Sequence, residues 1–188
     1  MEQELETAIG IRIRKLRIEK GLTLDDLANA SGVSRAMISR IERAEASPTA
    51  SLLARVCAAL GLSLSAFFAD ERRASPLARR HEQQVWRDPE TGYLRRSVSP
   101  PATSSEVDIV DVEFPAGACV SFPPHTAGHG MTQHVWVFEG EMEMTTGETV
   151  HHLLPGDCLF MPVGEGHVFR NPTSKPARYC VVLNRSTR

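Results

Sequence analysis

Ile9, Ile13 and Leu16 recur at helical spacing, with Arg12, Arg14, Lys15 and Arg17 on the remaining faces. Gly21 follows as a C-terminal stop, so the pattern predicts an amphipathic helix. Thr23, followed three residues later by Asp26, has the form of a capping box and opens a short helix carrying Leu24, Leu27 and Ala28. Only a tight turn fits Ser31-Gly32-Val33. Ser34 can cap a third helix, SRAMISRIER, in which Ile38 and Ile41 share one face with Val33 near its start. Thr49 caps a fourth helix through Leu60, Gly61 ends it, and Ser63 opens a last short one at SLSAFF. Five short helices are therefore expected. The stretch Asp70 to His81, DERRASPLARRH, lacks an apolar face and contains Pro76, which reads as an exposed linker with a hinge in it. From Val85 the texture changes. Between Glu106 and Leu183 apolar residues alternate or cluster over short lengths, separated by Pro115-Ala116-Gly117, Glu139-Gly140, Thr146-Gly147, Pro155-Gly156 and Gly164-Glu165-Gly166. Many short strands with even turn spacing predict a sandwich or barrel.

The expected fold class is α + β in two domains: a five-helix domain over residues 1–69, a linker over 70–84 and a double-sheet β-barrel over 85–188. A chain of 188 residues with 41% apolar and 23% charged residues accommodates two compact domains. Its longest weakly polar run, Val56 to Ala69, is too short to span a bilayer, and the start MEQELET is acidic rather than signal-like; a cytoplasmic protein is expected. Cys57, Cys119, Cys158 and Cys180 have no close-spaced pairs, so buried free thiols are expected in place of a disulfide framework or zinc ribbon. The net charge of −2 hides an asymmetry. From Ile9 to Arg43 there are eight Lys/Arg against four Asp/Glu, whereas from Pro101 to Arg188 there are five against ten. One end can approach a polyanion and the other repels it.

The stretch LTLDDLANASGVSRAMISRIERAEASPTASLLARVCAALG resembles the lambda-repressor-like, or XRE-type, helix-turn-helix family, with the match running from about Ile9 to Phe68. Ala28, Gly32, Val33-Ser34, Ile41-Glu42 and Pro48-Thr49 carry it, while Leu24 stands where the family usually has a Gln that contacts the DNA backbone. The resemblance implies that the recognition helix enters the major groove by its N-terminal part, with Arg35, Ala36 and Arg40 nearest the base edges. An arginine forks onto guanine, alanine touches a thymine methyl, and Ser34, Ser39 and Arg43 hold phosphates.

In the second half, VDIVDVEFPAG, HVWVFEGEMEM, HHLLPGDCLFMP and HVFRNPTSKPARYCVVLN resemble the cupin family, a small double-sheet β-barrel. Gly156, Pro162, Gly164, His167 and Asn171 match every position of its second motif. The first motif departs. Metal-bearing cupins supply two histidines and a glutamate there, but here Ala127 and Gln133 replace one histidine and the glutamate, leaving His129, with His125 two residues upstream of Ala127. No cofactor is expected on this reading, because a neutral amide is a poor ligand and alanine is none; the alternative is a divalent transition metal on His125, His129, Gln133 and His167. By parity with Gln133, Val135 and Val137 point inwards, Met142 and Met144 line the same interior, and Phe169 shares the side of His167. These residues, with His125 and His129, form the expected ligand pocket. His134 faces outwards and His151-His152 sit in solvent on the same reasoning.

Together the two resemblances imply a transcriptional regulator, expected to act as a repressor, that binds an inverted-repeat operator in double-stranded DNA as a homodimer while its barrel senses a small-molecule effector. The ligands implied are broad, spanning amines, amino acids and short peptides, and the acidic second half leans towards a cation. Two other readings stay open: a metal-dependent cupin isomerase or dioxygenase tethered to DNA, and a barrel that serves only for dimerisation.

Overall fold

The computed structural model describes residues 2–68, 75–124 and 130–185. Five helices come first: α1 (Glu2–Glu19), α2 (Leu24–Ser31), α3 (Arg35–Glu42), α4 (Ala50–Ala59) and α5 (Leu64–Phe68). Each cap satisfies an amide that the helix itself leaves without a partner. Thr23 Oγ1 accepts from the Asp26 amide, while the Thr23 hydroxyl and amide donate to the Asp26 carboxylate at 2.6 and 2.8 Å and hold that carboxyl below its usual range. Ser34, Thr49 and Ser63 accept from the amides of Met37, Leu52 and Ala66 at 3.2, 3.3 and 3.0 Å. Gly32 closes α2 with a φ of 65°, a left-handed conformation that favours glycine. α1 starts at Glu2, ahead of the Ile9 where the periodic pattern begins.

Ile9, Ile13, Leu27, Val33, Ile38 and Ile41 are buried together, so the three leading helices enclose one core. Their closest approach is at Gly10, where any Cβ would strike the Ile41 carbonyl oxygen. Arg17 and Glu42 fasten the same crossing, Nε to Oε1 at 2.6 Å and Nη2 to Oε2 at 2.8 Å, with side chains only 12% and 6% exposed.

Ten strands follow: β1 (Val85–Arg87), β2 (Leu94–Ser97), β3 (Val107–Phe114), β4 (Cys119–Phe122), β5 (Thr132–Glu139), β6 (Met142–Thr146), β7 (Thr149–Leu153), β8 (Cys158–Pro162), β9 (His167–Arg170) and β10 (Ala177–Asn184). They form a six-stranded sheet in the order β1-β2-β3-β10-β5-β8 and a four-stranded sheet in the order β4-β9-β6-β7, with every pairing antiparallel. The inner faces meet where Phe169 of the smaller sheet stacks on Tyr179 of the larger at 5.5 Å, and within the larger sheet Phe114 meets Tyr179 edge-on at 5.9 Å. This is the double-sheet architecture expected for the second half. The strict alternation of β5, with Gln133, Val135 and Val137 buried and His134, Trp136 and Phe138 exposed, sets its register.

Of the linker expected over 70–84, residues 70–74 lie outside the described residues. Residues 75–82 run mostly exposed, as their composition requires, yet the elements on either side dock directly. Phe68 of α5 packs on Trp86 of β1 with centroids 5.5 Å apart, and the Ala50 amide at the start of α4 donates to Asp88 Oδ1 across 2.7 Å. Arg95 of β2 donates to Ser65 Oγ at 2.7 Å. One buried apolar cluster therefore runs from Ile9 to Tyr179 through both halves. The thiol expectation holds for half of the cysteines. All four are free, but Cys119 and Cys158 occupy outward strand positions and are exposed, while Cys57 and Cys180 are buried.

Candidate nucleic-acid interface and barrel cavity

The surface of α3 presents Ser34, Arg35, Ala36, Arg40 and Arg43 to solvent and leaves Ser39 half-buried. Ile38 and Ile41 anchor the opposite face, so the polar side chains have one rigid helix beneath them. Ser34 spends an oxygen lone pair on the helix cap, which keeps its hydroxyl proton for an external acceptor. Arg35 Nε lies 3.4 Å from Asp25 Oδ1, with both side chains more than half exposed, an ion pair of little worth in water. Arg43 is more engaged: Glu45 accepts from Nε and Nη2 at 2.7 Å each, and Ser39 Oγ accepts from Nη1. A phosphate at Arg43 has to displace Glu45. Arg35 and Arg40 carry no such clamp among the described contacts.

One residue that periodicity did not single out sets the height of this helix. Arg55 of α4 donates from Nε to the Ser31 carbonyl at 3.0 Å and from Nη2 to the Gly32 carbonyl, so a guanidinium clamps the turn between α2 and α3. Its sequence neighbourhood is apolar, LLARVCAA, and nothing in that pattern marks the arginine as structural.

In the β-half a cavity of about 100 Å³ lies between the inner sheet faces and the underside of the helical half. Gln133, His167 and Phe169 line it, as their parity indicated. Val135, Val137, Met142 and Met144 also face inwards and are essentially inaccessible, but they fill the solid core rather than the cavity wall. His125 and His129 lie outside the described residues. The wall also holds residues that the sequence reading did not place there: Tyr93 just ahead of β2, Arg95 within it, and Ser63 and Ser65 from the helical half. Their signal was available in the alternation Tyr93, Arg95, Ser97, which sets an arginine on the buried side beside an aromatic ring.

The charges around this cavity are unusual. Arg95 is 6% exposed, donates only to the hydroxyls of Ser65 and Ser97 at 2.7 and 3.0 Å, and lies over the Phe68 ring at 5.0 Å. Burial pulls its guanidinium below the usual range and pushes the neighbouring Tyr93 phenol up. At the same cavity His167 Nε2 and Gln133 Nε2 stand 3.5 Å apart. Among the described residues one imidazole and one amide meet at this wall and a guanidinium shares it, while the other two candidate ligands, His125 and His129, are not among the described residues. No group of three or more His, Cys, Asp or Glu suited to a metal ion occurs among the described residues.

The motif residues outside the cavity have structural roles of their own. Gly156 holds a φ of 96° in the turn before β8. Asn171 is fully buried, and its Nδ2 donates to the carbonyls of Phe114, Pro115 and Lys175 at 3.4, 3.1 and 2.8 Å. Its Oδ1 accepts from the amide and hydroxyl of Thr173 at 3.0 and 2.8 Å. It ties the β9–β10 turn to the end of β3. Asn171→Ala is expected to destabilise the chain by about 3 kcal/mol, measured by urea unfolding, because several buried groups lose their partner at once.

Comparison with known proteins agrees with both halves. A Helix-turn-helix family model matches residues 13–67, and a Cupin domain model matches residues 106–183. The chain is 26% identical over 169 residues to the HTH-type transcriptional regulator SutR of Escherichia coli (strain K12), covering 90% of each. It is 25% identical over 181 residues to the HTH-type transcriptional regulator PuuR of the same organism, covering 96% of this chain and 95% of that one. Among solved structures, an HTH_3 family transcriptional regulator from Vibrio cholerae superposes with a TM-score of 0.79 at 25% identity, covering 98% of both chains. No helix of the described residues is long and apolar enough to cross a membrane. The end-to-end match, the capped reading helix and the double sheet behind it place this chain among the XRE-type helix-turn-helix regulators that carry a C-terminal cupin domain.

Proposed function

We propose that the chain is a cytoplasmic, DNA-binding transcriptional repressor without a catalytic metal, which reads an inverted-repeat operator as a dimer and senses a small molecule in its β-half. The observation that carries this reading is the exposed, cationic N-terminal part of α3, held rigid by Ile38, Ile41 and the Arg55 clamp. Arg35, Ala36 and Arg40 read base edges, and Ser34, Ser39 and Arg43 meet phosphates. Electrophoretic shift with duplexes recovered from the chain's own genomic neighbourhood tests it: a sequence-specific complex is expected, and binding that ignores sequence contradicts it.

The dimer reading has its own support. The outer face of the six-stranded sheet exposes Ile109, Trp136, Phe138 and Phe160, with 48% of Trp136 and 58% of Phe160 accessible. Trp136 and Phe138 pack edge-on at 4.8 Å, and Arg178 lies 5.8 Å over Phe138, beside Asp111, to which its Nε donates at 3.0 Å. A contiguous aromatic patch with mixed charges at its rim suits a self-complementary face, and twofold symmetry matches half-sites about 34 Å apart. Trp136→Glu is expected to convert the dimer to monomer in sedimentation equilibrium without altering the circular dichroism. A variant that stays dimeric removes this face from the interface.

The sensing reading rests on the cavity. Its wall is built jointly by α4–α5 and the two sheets, so an occupant touches the half that reads DNA. Its effect on operator affinity is limited to the difference in its affinity for the two states of the protein.

A further inference from the structure

Most of the cavity wall is apolar, with Val110, Val112, Val120, Phe122 and Phe169 among its members. Arg95 is the one Lys, Arg, Asp or Glu among the described residues that line it. A guanidinium has five N–H donors in a planar fork and no acceptor. Here two hydroxyls take two of those donors, and no carboxylate pairs with it. The Asp108 carboxylate is ion-paired with Arg185 Nε at 3.0 Å and acts on Arg95 only through space, with no hydrogen bond to it. Buried charges in proteins are ordinarily neutralised by a partner, because desolvating an isolated ion is costly. Among the described residues Arg95 has no carboxylate within ion-pair distance.

The position of that cation is equally informative. Arg95 also borders a second, larger cavity of about 340 Å³ towards Asp108 and Arg185, so it stands where the two spaces meet beneath α5. Its Nη2 bond to Ser65 is one of the few polar contacts between the two halves. A group that competes for this guanidinium therefore acts on the joint itself.

Building on the small-molecule reading above, we propose that this cavity is an anion site, in which Arg95 receives the carboxylate of a compact organic acid with an apolar body. The planar fork of Arg95 matches a carboxylate bidentately, which an amine or amide does not reproduce. Val110, Val120 and Phe169 enclose the hydrocarbon part, and Gln133 with His167 provide polar partners for a second substituent. The volume limits that part to on the order of five non-hydrogen atoms, since an apolar cavity of ~150 Å³ admits benzene. The net acidity of the second half, which leaned towards a cationic ligand, is thus a property of its outer surface and not of this wall.

The test uses full-length protein at constant ionic strength, titrated calorimetrically with propionate, butyrate and benzoate and, in parallel, with their primary amides. Saturable binding of at least one acid at millimolar concentration or below is expected, with its amide weaker by about tenfold or more. Arg95→Lys, checked for an unchanged circular dichroism spectrum, is expected to weaken the acid by a similar factor. Equal affinity for acid and amide, no binding of any acid, or undiminished binding by folded Arg95→Lys overturns the anion site. The acid–amide comparison on the wild-type chain decides the matter even where the variant does not fold. Operator affinity measured on the same samples separates the two readings. Acid binding that leaves operator affinity unchanged keeps the anion site and removes its signalling role, while operator binding without any acid binding sinks the anion site alone.

Discussion

Replacing Arg35 and Arg40 together by alanine is expected to lower affinity for the cognate operator by about 2–6 kcal/mol, since a good bidentate base contact contributes about 1–3 kcal/mol. Both side chains are exposed, and neither bears on the buried Ile38–Ile41 face, so unfolding stability should stay within about 0.5 kcal/mol of wild type. Affinity for non-cognate duplexes should fall much less, because base contacts specify while phosphate contacts position. Fluorescence anisotropy with specific and scrambled duplexes at matched salt checks this. An unchanged specific affinity removes α3 from the groove. Arg43→Ala should behave differently, because Glu45 already neutralises Arg43 in the free protein and a phosphate gains only what it takes from that pair.

The second large effect is on folding. Arg17→Met is expected to cost about 3 kcal/mol or more in denaturant unfolding, because it strands the Glu42 carboxylate, 6% exposed, without its bidentate partner and removes the 2.9 Å donor from the Leu22 carbonyl. Hydrogen bonding to Glu42 holds the Arg17 guanidinium above its usual range, so Arg17 stays charged across the accessible pH span. The double variant Arg17→Met, Glu42→Met should recover much of the loss, since replacing both ions by apolar groups of similar size is close to neutral. A double variant as unstable as the single one would mean that the crossing of α1 and α3 depends on the ions themselves.

Much of this architecture was legible because short-range chemistry fixes it. Thr23 with Asp26, Ser34, Thr49 and Ser63 satisfy amides three residues away, a relation written directly in the sequence, and all four helix starts fall where those residues put them. The strand parity of Gln133, Val135 and Val137 was equally legible, because a pleat has a period of two. Parity shows which side of a sheet a residue occupies but not whether the space there is filled. Val135 and Met144 therefore read the same as Gln133, although they pack solidly while Gln133 borders the cavity.

Long-range contacts account for the remainder. The docking of Phe68 on Trp86, the cap that Asp88 gives to Ala50 and the bond from Arg95 to Ser65 each join residues far apart in sequence. Composition reports the solvation of the segment between them and says nothing about what its two ends touch. The same limit hid Arg55, whose role depends on carbonyls brought in from another element. Leu24, which replaces the Gln usual in this family, is half-buried against the core, so α2 gives up that backbone contact without a gap.

The account depends above all on the helical half reading duplex DNA with twofold symmetry under the control of the β-half. Selection of binding sites from a random duplex library by the full-length protein tests this most directly, followed by a salt titration of the winning site. Enrichment of an inverted repeat with half-site centres about 34 Å apart, and an affinity that falls steeply and log-linearly with salt, is the expected result. Recovery of no preferred sequence, or of a single asymmetric site bound with little dependence on salt, would contradict it.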